Sequence, residues 1–331
     1  MTESHGEVFD LGYRHYEGPR QGRMRGRKAV WVNGVRTALG LGRGWGPKVL
    51  PVLLFTAVMI PALVISIVAS QVDINDTDLP GHDGYYQIVS VILILFSAII
   101  APELLCPDRR DGVISLYLVR PLTTTDYVAG RWLAFLSVTL ILVYLGQVVL
   151  FTGLVLAADE PLDYLKDNWL DVPRFLLAGL VVAIFTTTLP MSVSAFTTRR
   201  AYAAAVVIGL FIISLPVSAI LTLCDEEGSQ SLPPPQQGGV AVERGVAVER
   251  GVAAEPVQCE PPTGDAAKWF VLINVGQVPI HVNDLIFPEE NSSDFAELAR
   301  ELPMGVPVAW YLLLTAGPGL ALWWRYRRLG S

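Results

Sequence analysis

Charge is missing where the chain is most hydrophobic. Its long apolar stretches hold almost no Asp, Glu, Lys, Arg or His at depth, which argues against proton relays, ion paths and intramembrane active sites, since all of these need ionisable groups there. Histidine is scarce: His5, His15, His82 and His281 are the only four, spread along the chain, and no metal cluster is expected from them. Cysteine is scarcer still, with three residues. Cys106 reads as a free thiol. Cys224 and Cys259 share one connection, and a disulfide between them would close a loop of about 35 residues worth roughly 3 to 4 kcal/mol in the chain-entropy model. Whether they are bonded stays open. A phosphate loop is also absent: Gly40 to Lys48 has the right composition, but Pro47 precedes the lysine and Val49 replaces the Ser or Thr. This polypeptide is not expected to bind ATP or any other cofactor itself, and no catalytic constellation is apparent. No signal peptide is visible, because the first apolar run begins only after 48 largely polar residues.

What is present is apolar length. Hydrophobic residues make up 52% of the chain and charged residues 17%, with a mean hydropathy of +0.46, outside the usual soluble range. Six stretches, Val49–Ala69, Tyr85–Ala101, Trp132–Ala158, Phe175–Phe196, Ala201–Leu223 and Gly305–Trp324, each approach the roughly 20 residues a helix needs to cross the hydrocarbon core. Allotting the connections alternately puts 18 Lys/Arg and 8 Asp/Glu on the side holding both termini, against 6 and 23 on the other. The positive-inside rule then places both termini in the cytoplasm. The expected fold is all-α, a six-span integral membrane protein, and the net charge of −7 is a topological signal with no bearing on nucleic acid.

Four regions follow: a basic cytoplasmic segment over residues 1–48; spans one to five over 49–223, with a cytoplasmic connection at 103–131; an outer loop over 224–304; and the sixth span with a basic tail over 305–331. In the first, Lys28 to Leu39 places Trp31, Val35, Ala38 and Leu39 at helical spacing, the pattern of a helix lying in the inner interface. Gly40 to Pro47 breaks it. The outer loop before the second span, with Asp73, Asp76, Asp78, His82 and Asp83, reads as solvated, and the loop Asp159–Pro173 as acidic with Trp169 at the interface. The last outer loop opens with low complexity over residues 232–265: three prolines, then Gly-Val-Ala-Val-Glu-Arg at 239–244 and 245–250 with a decayed third copy, too poor in aromatics to form a core. From 266 to 304 it reads as surface or re-entrant helices. Trp269–Phe287 is semi-apolar, but Asn274, Gln277, Pro279, His281, Asn283 and Asp284 argue against a seventh span.

The connection after the second span carries the most pattern. Ala101-Pro102-Glu103 closes the span, and Asp108-Arg109-Arg110-Asp111-Gly112 leads into a short apolar helix, Val113–Val119, which Arg120-Pro121 ends. Thr123, Thr124 and Thr125 can cap a helix opened by Asp126 that climbs through Gly130 and Arg131 into the third span. A short apolar helix slung between two spans would be a sticky patch unless it docks on something.

These residues, with Leu116 and Leu122, resemble the signature of bacterial type-2 ATP-binding-cassette permeases: a Glu-Arg-Glu-x-Gly core, a leucine-rich short helix, then Pro and a basic residue entering the next span. Here Asp108 and Asp111 stand where glutamates are commoner, and Arg110 is an extra basic residue. Leu11-Gly12-Tyr13-Arg14 and Glu17-Gly18-Pro19-Arg20 are similar to the opening of a bacterial subgroup. The resemblance implies the permease half of an exporter in the bacterial cytoplasmic membrane. It also implies a partner ATPase holding ATP and Mg, and a second permease copy or a related permease beside it in the bilayer. Glu103, Asp108, Arg109, Arg110, Asp111, Gly112, Leu116, Arg120 and Pro121 would couple the chain to that ATPase. An accessory membrane anchor or regulator without transport of its own is the alternative, and a membrane-embedded enzyme a third. Substrate and direction are not readable from the residues.

Overall fold

The computed structural model describes residues 22–42, 44–71, 80–114, 117, 122–222, 266–287 and 294–328. No strand occurs among them, and six helices are long and apolar enough to cross a membrane. In chain order the elements are α1 (Arg23–Ala38), α2 (Gly46–Ala69), α3 (His82–Arg110), α4 (Thr124–Ala157), α5 (Pro161–Asp167), α6 (Asp171–Ser194), α7 (Arg200–Thr222), α8 (Ala267–Phe270, continued as a 3-10 turn over Val271–Ile273), α9 (Val278–Asn283), α10 (Asp294–Arg300) and α11 (Gly305–Arg327). The spans are α2, α3, α4, α6, α7 and α11. In α3 and α6, 61% and 67% of the apolar window is buried, against 22% in α7 and α11, so α3 and α6 form the centre and the others present Val52, Ile60, Val206, Ile213 and Leu313 outward.

α4 organises the periphery through its glycines. A Cβ at Gly130 would fall 2.9 Å from Val30, one at Gly146 would fall 1.7 Å from the Tyr85 hydroxyl, and one at Gly153 would fall 2.0 Å from the Ser66 hydroxyl. These positions let α1, α3 and α2 approach at backbone distance, as small residues do between membrane helices. On α1 the matching stripe is Val30, Gly34 and Ala38, with Gly34 against Ala134. The sequence pattern placed this helix at Lys28–Leu39; it starts earlier, at Arg23, and buries a seam one position removed from Trp31. Trp31 stays partly exposed and donates to Ser137 Oγ at 3.2 Å. Gly40 and Gly42, at φ of 64° and 83°, then turn the chain into α2.

Three expectations change. The second span does not stop at Ala101: α3 runs on to Arg110 through Pro102 and Pro107. Each proline lacks the N–H that would bond four residues back, but Ala101, Leu104, Leu105 and Cys106 are buried, and that packing carries the helix onward. His82 and Asp83, read as part of a solvated loop, are buried in the first turn of α3. His82 Nδ1 lies 2.7 Å from Gln147 Oε1, Gln147 Nε2 donates to the His82 carbonyl at 3.1 Å, and Phe151, Phe175 and Phe287 surround the ring. Within the acidic loop Asp159–Pro173 lies a short helix, α5.

Between α7 and α11 the chain makes a broken helical segment, α8 and α9, where the sequence reads surface or re-entrant helices; Val278–Asn283 is buried and Trp269 half exposed. Its break is held from outside: Ser218 Oγ donates to the Phe270 carbonyl (3.0 Å), Trp310 Nε1 to the Leu272 carbonyl (2.9 Å), and Ser214 Oγ accepts from the Val275 N–H (3.3 Å). These partners satisfy backbone groups that the break leaves outside any helix. The repeat, Cys224 and Cys259 lie outside the described residues.

The glycine contacts are testable. Gly146→Ala is expected to lower thermal stability in detergent by about 1 to 3 kcal/mol, the range for overpacking. Tyr85→Phe is expected to recover part of that loss, so that the double variant is less destabilised than the two single losses combined. Gly317→Ala, with open space around its Cβ, should leave stability unchanged.

Candidate functional site

One end of the bundle gathers the basic residues: α1, the last turns of α3, α6 and α11, and the first turns of α4 and α7. At its corner α4 begins with Thr123 as N-cap. The Thr123 hydroxyl accepts from the Asp126 N–H at 3.3 Å, and the Asp126 carboxylate accepts from the Thr123 N–H at 3.0 Å. This reciprocal pair satisfies two donors that a helix start leaves orphaned. The same carboxylate takes Arg23 Nε and Arg27 Nε, each at 2.7 Å, on its two oxygens. Arg23 and Arg27 are four apart and share one face of α1, so Asp126 latches α1 to α4 while capping α4. Hydrogen bonding to Asp126 pushes the Arg23 guanidinium further above its ordinary value, so this side of the latch stays charged.

Behind the latch lies a second ion pair, between a buried arginine and a partly buried aspartate. The Arg131 side chain, 3% exposed, reaches across from α4 to Asp108 on α3. The Tyr127 hydroxyl donates to the same Asp108 oxygen at 2.6 Å. Arg131 also sits 5.6 Å over the Tyr127 ring, which has Tyr117 on one side (5.5 Å) and Tyr326 of α11 on the other (5.7 Å). Asp108 therefore joins the end of α3 to the start of α4, on either side of the connection 111–123. Two more contacts bind α3 to its other neighbours. Arg109 Nη1 donates to the Ala195 carbonyl and, at 3.2 Å, to the Thr197 carbonyl, meeting the orphan acceptors and the negative dipole at the end of α6. Glu103 pairs with Arg200 at the start of α7.

The predicted residues thus separate into two groups. Glu103, Asp108 and Arg109 are spent on holding helices together. Arg110 and Asp111 pair with each other at 2.9 Å in the open, with side chains 62% and 50% exposed, and Gly112 turns the chain at φ 66°. Leu116, Arg120 and Pro121 lie outside the described residues. Of the expected short helix, Ile114 is buried and helical, and Tyr117 is helical and stacks on Tyr127. The latch from Asp126 to Arg23 and Arg27 was not foreseen, although an acid three places after a Thr cap and two arginines one turn apart were available as signals. Arg131, read from the sequence only as a basic residue entering the span, is the most enclosed charge of this end.

A family model described as "ABC-2 family transporter protein" matches residues 31–241, which contain α2 to α7 and the Asp108, Arg109 and Arg131 contacts, but not Arg23, Arg27 or Tyr326. No curated protein matches the chain.

Removing Arg131 leaves Asp108 without its counter-charge. Arg131→Ala is expected to cost about 1 to 3 kcal/mol, because the Asp108 left behind keeps the Tyr127 hydroxyl and some exposure, whereas Arg110→Ala should stay within about 0.5 kcal/mol. Thermal unfolding of the two purified variants in one detergent checks the order; equal losses would contradict it.

Proposed function

The chain belongs to the ABC-2 transporter family, a multi-pass membrane permease, and from that premise we propose that it is the membrane subunit of an ATP-driven exporter worked by a separate ATPase. The observation that carries the coupling proposal is the Asp108 junction. The connection 111–123 leaves α3 and enters α4 between Asp108 and Arg131, so a push on that connection moves both helices as one body. Latches from α3 to α6 and α7 pass the movement to the rest of the bundle. Such rigid-body transmission through discrete contacts is a common form of switching.

In this reading the basic end faces the cytoplasm, as the Lys/Arg bias of the connections supports, and the membrane is a bacterial cytoplasmic membrane. ATP and Mg are held by the partner. The conducting unit contains a second copy or a related permease. Exposed Arg110 and Asp111, with Gly112, meet the ATPase directly, while Glu103, Asp108 and Arg109 position them. The cargo is weakly polar or amphipathic. A groove of about 270 Å³ between α3, α7 and the break joining α8 to α9 is lined mainly by apolar side chains, Phe211 included, with Ser90, Asn274 and Gln277 among them, a lining that suits such a molecule.

Affinity purification of the tagged chain in mild detergent should bring down a stoichiometric ATP-binding-cassette subunit with vanadate-sensitive hydrolysis. Arg110→Glu with Asp111→Lys is expected to lose that subunit, or its stimulation by the permease, while the chain stays monodisperse and fully helical. Unchanged association and activity in that double variant would overturn the coupling assignment, and a chain reproducibly free of any ATPase would favour the accessory-anchor alternative.

A further inference from the structure

On the outer face of the basic end, a groove of about 360 Å³ runs between α4, α6 and α11. Among its lining residues, Thr125 and Trp132 are seven positions apart on α4, and Thr315 and Trp323 eight apart on α11. At 1.5 Å of rise per residue it extends about 10 to 12 Å along the bilayer normal. Its polar atoms are turned to one another. Trp132 Nε1 donates to Thr188 Oγ1 at 3.0 Å, and Thr188 in turn to the Ile184 carbonyl at 2.7 Å. Trp323 Nε1 donates to Thr125 Oγ1 at 3.3 Å, and Thr315 to the Tyr311 carbonyl at 2.8 Å. A solute needing hydrogen bonds gains little here, whereas a hydrocarbon chain finds an apolar slot. Gly319 gives the slot depth: a Cβ there would already touch Thr188 Cγ2 at 3.4 Å.

The mouth is different. The Arg327 guanidinium lies 5.2 Å over the ring of Trp323, which lines the groove, while Arg328 lies over Trp324 on the next face of α11. Tryptophan marks the headgroup level of a bilayer. Arginine binds phosphate through charge-assisted hydrogen bonds, and clustered basic residues beside a span attract anionic lipids. We propose that the groove is a binding site for one acyl chain of an anionic phospholipid whose phosphate rests on Arg327. The occupant stands between α4, α6 and α11 and so becomes part of their packing. The proposal requires only that the chain spans a bilayer; it does not depend on an ATPase partner or on the direction of transport.

The test uses the full chain in vesicles of phosphatidylcholine with phosphatidylglycerol, carrying in turn a phosphatidylglycerol and a phosphatidylcholine probe with a photoreactive diazirine in mid-chain. Crosslinks are mapped by mass spectrometry. Labelling of Ile184, Thr315 and Ala316 by the phosphatidylglycerol probe should exceed that of the exposed Ile212 and Ile213 on α7 by about fivefold. Gly319→Leu should abolish the excess by filling the groove. Arg327→Glu, at an exposed position that does not threaten folding, should lower it by about fivefold for the phosphatidylglycerol probe and leave the phosphatidylcholine probe unchanged. Equal labelling of groove and α7, equal labelling by the two probes, an excess that survives Arg327→Glu, or crosslinks from the groove to a second copy of the chain would each overturn the proposal.

Discussion

A backbone group left over at a helix end or break needs a hydrogen-bond partner, and among the described residues of this chain a side chain from another helix repeatedly supplies it. That constraint explains why so few polar side chains do so much. Arg109 of α3 closes the end of α6. Ser214, Ser218 and Trp310 hold the break between α8 and α9. Thr123 and Asp126 close the start of α4 and, in the same contact, take hold of α1. Each of these contacts crosses between elements, and a helix end satisfied in this way cannot move without its neighbour.

Mechanical consequences follow from the placing of these contacts. The ion pairs among them gather at the basic end, where α3 meets α4 and α7, while elsewhere the helices are held by close packing against the α4 glycines and by single hydrogen bonds such as those of Tyr85, Tyr86 and Tyr311 to carbonyls of neighbouring helices. A force applied at the connection 111–123 therefore enters the most strongly tied part of the bundle. The Arg131 and Asp108 pair, with the Tyr127 hydroxyl on the same oxygen, ties the end of α3 to the start of α4. Arg110 and Asp111, one turn further on, carry no such duty and are open to a partner.

Six spans were legible because apolar length is carried by composition, which a single sequence states directly. The capping of α4 was legible for a related reason: Thr123 and Asp126 act within four residues of each other. What escaped were long-range assignments. Nothing local distinguishes Arg109, bound to carbonyls of α6, from Arg110, pointing to solvent; the difference arises only when α3 continues helically past Pro102 and turns one arginine inward. His82 and Asp83 looked solvated for the same reason, since their burial depends on Gln147, Phe175 and Phe287 arriving from three other segments. The start of α1 at Arg23 was missed because its first turns carry arginines in place of an apolar stripe and are held by Asp126 from α4, a contact 99 to 103 positions away in sequence.

The central proposal is that the exposed turn at Arg110, Asp111 and Gly112 belongs to the surface that meets a separate ATPase. A photoreactive phenylalanine analogue installed at Asp111 in cells, with a second chain carrying it at Lys166 on the opposite end, measures this directly. Capture of an ATP-binding-cassette subunit from position 111 and none from position 166 is the predicted result; capture from 166, or from neither position in cells that make the ATPase, would contradict it.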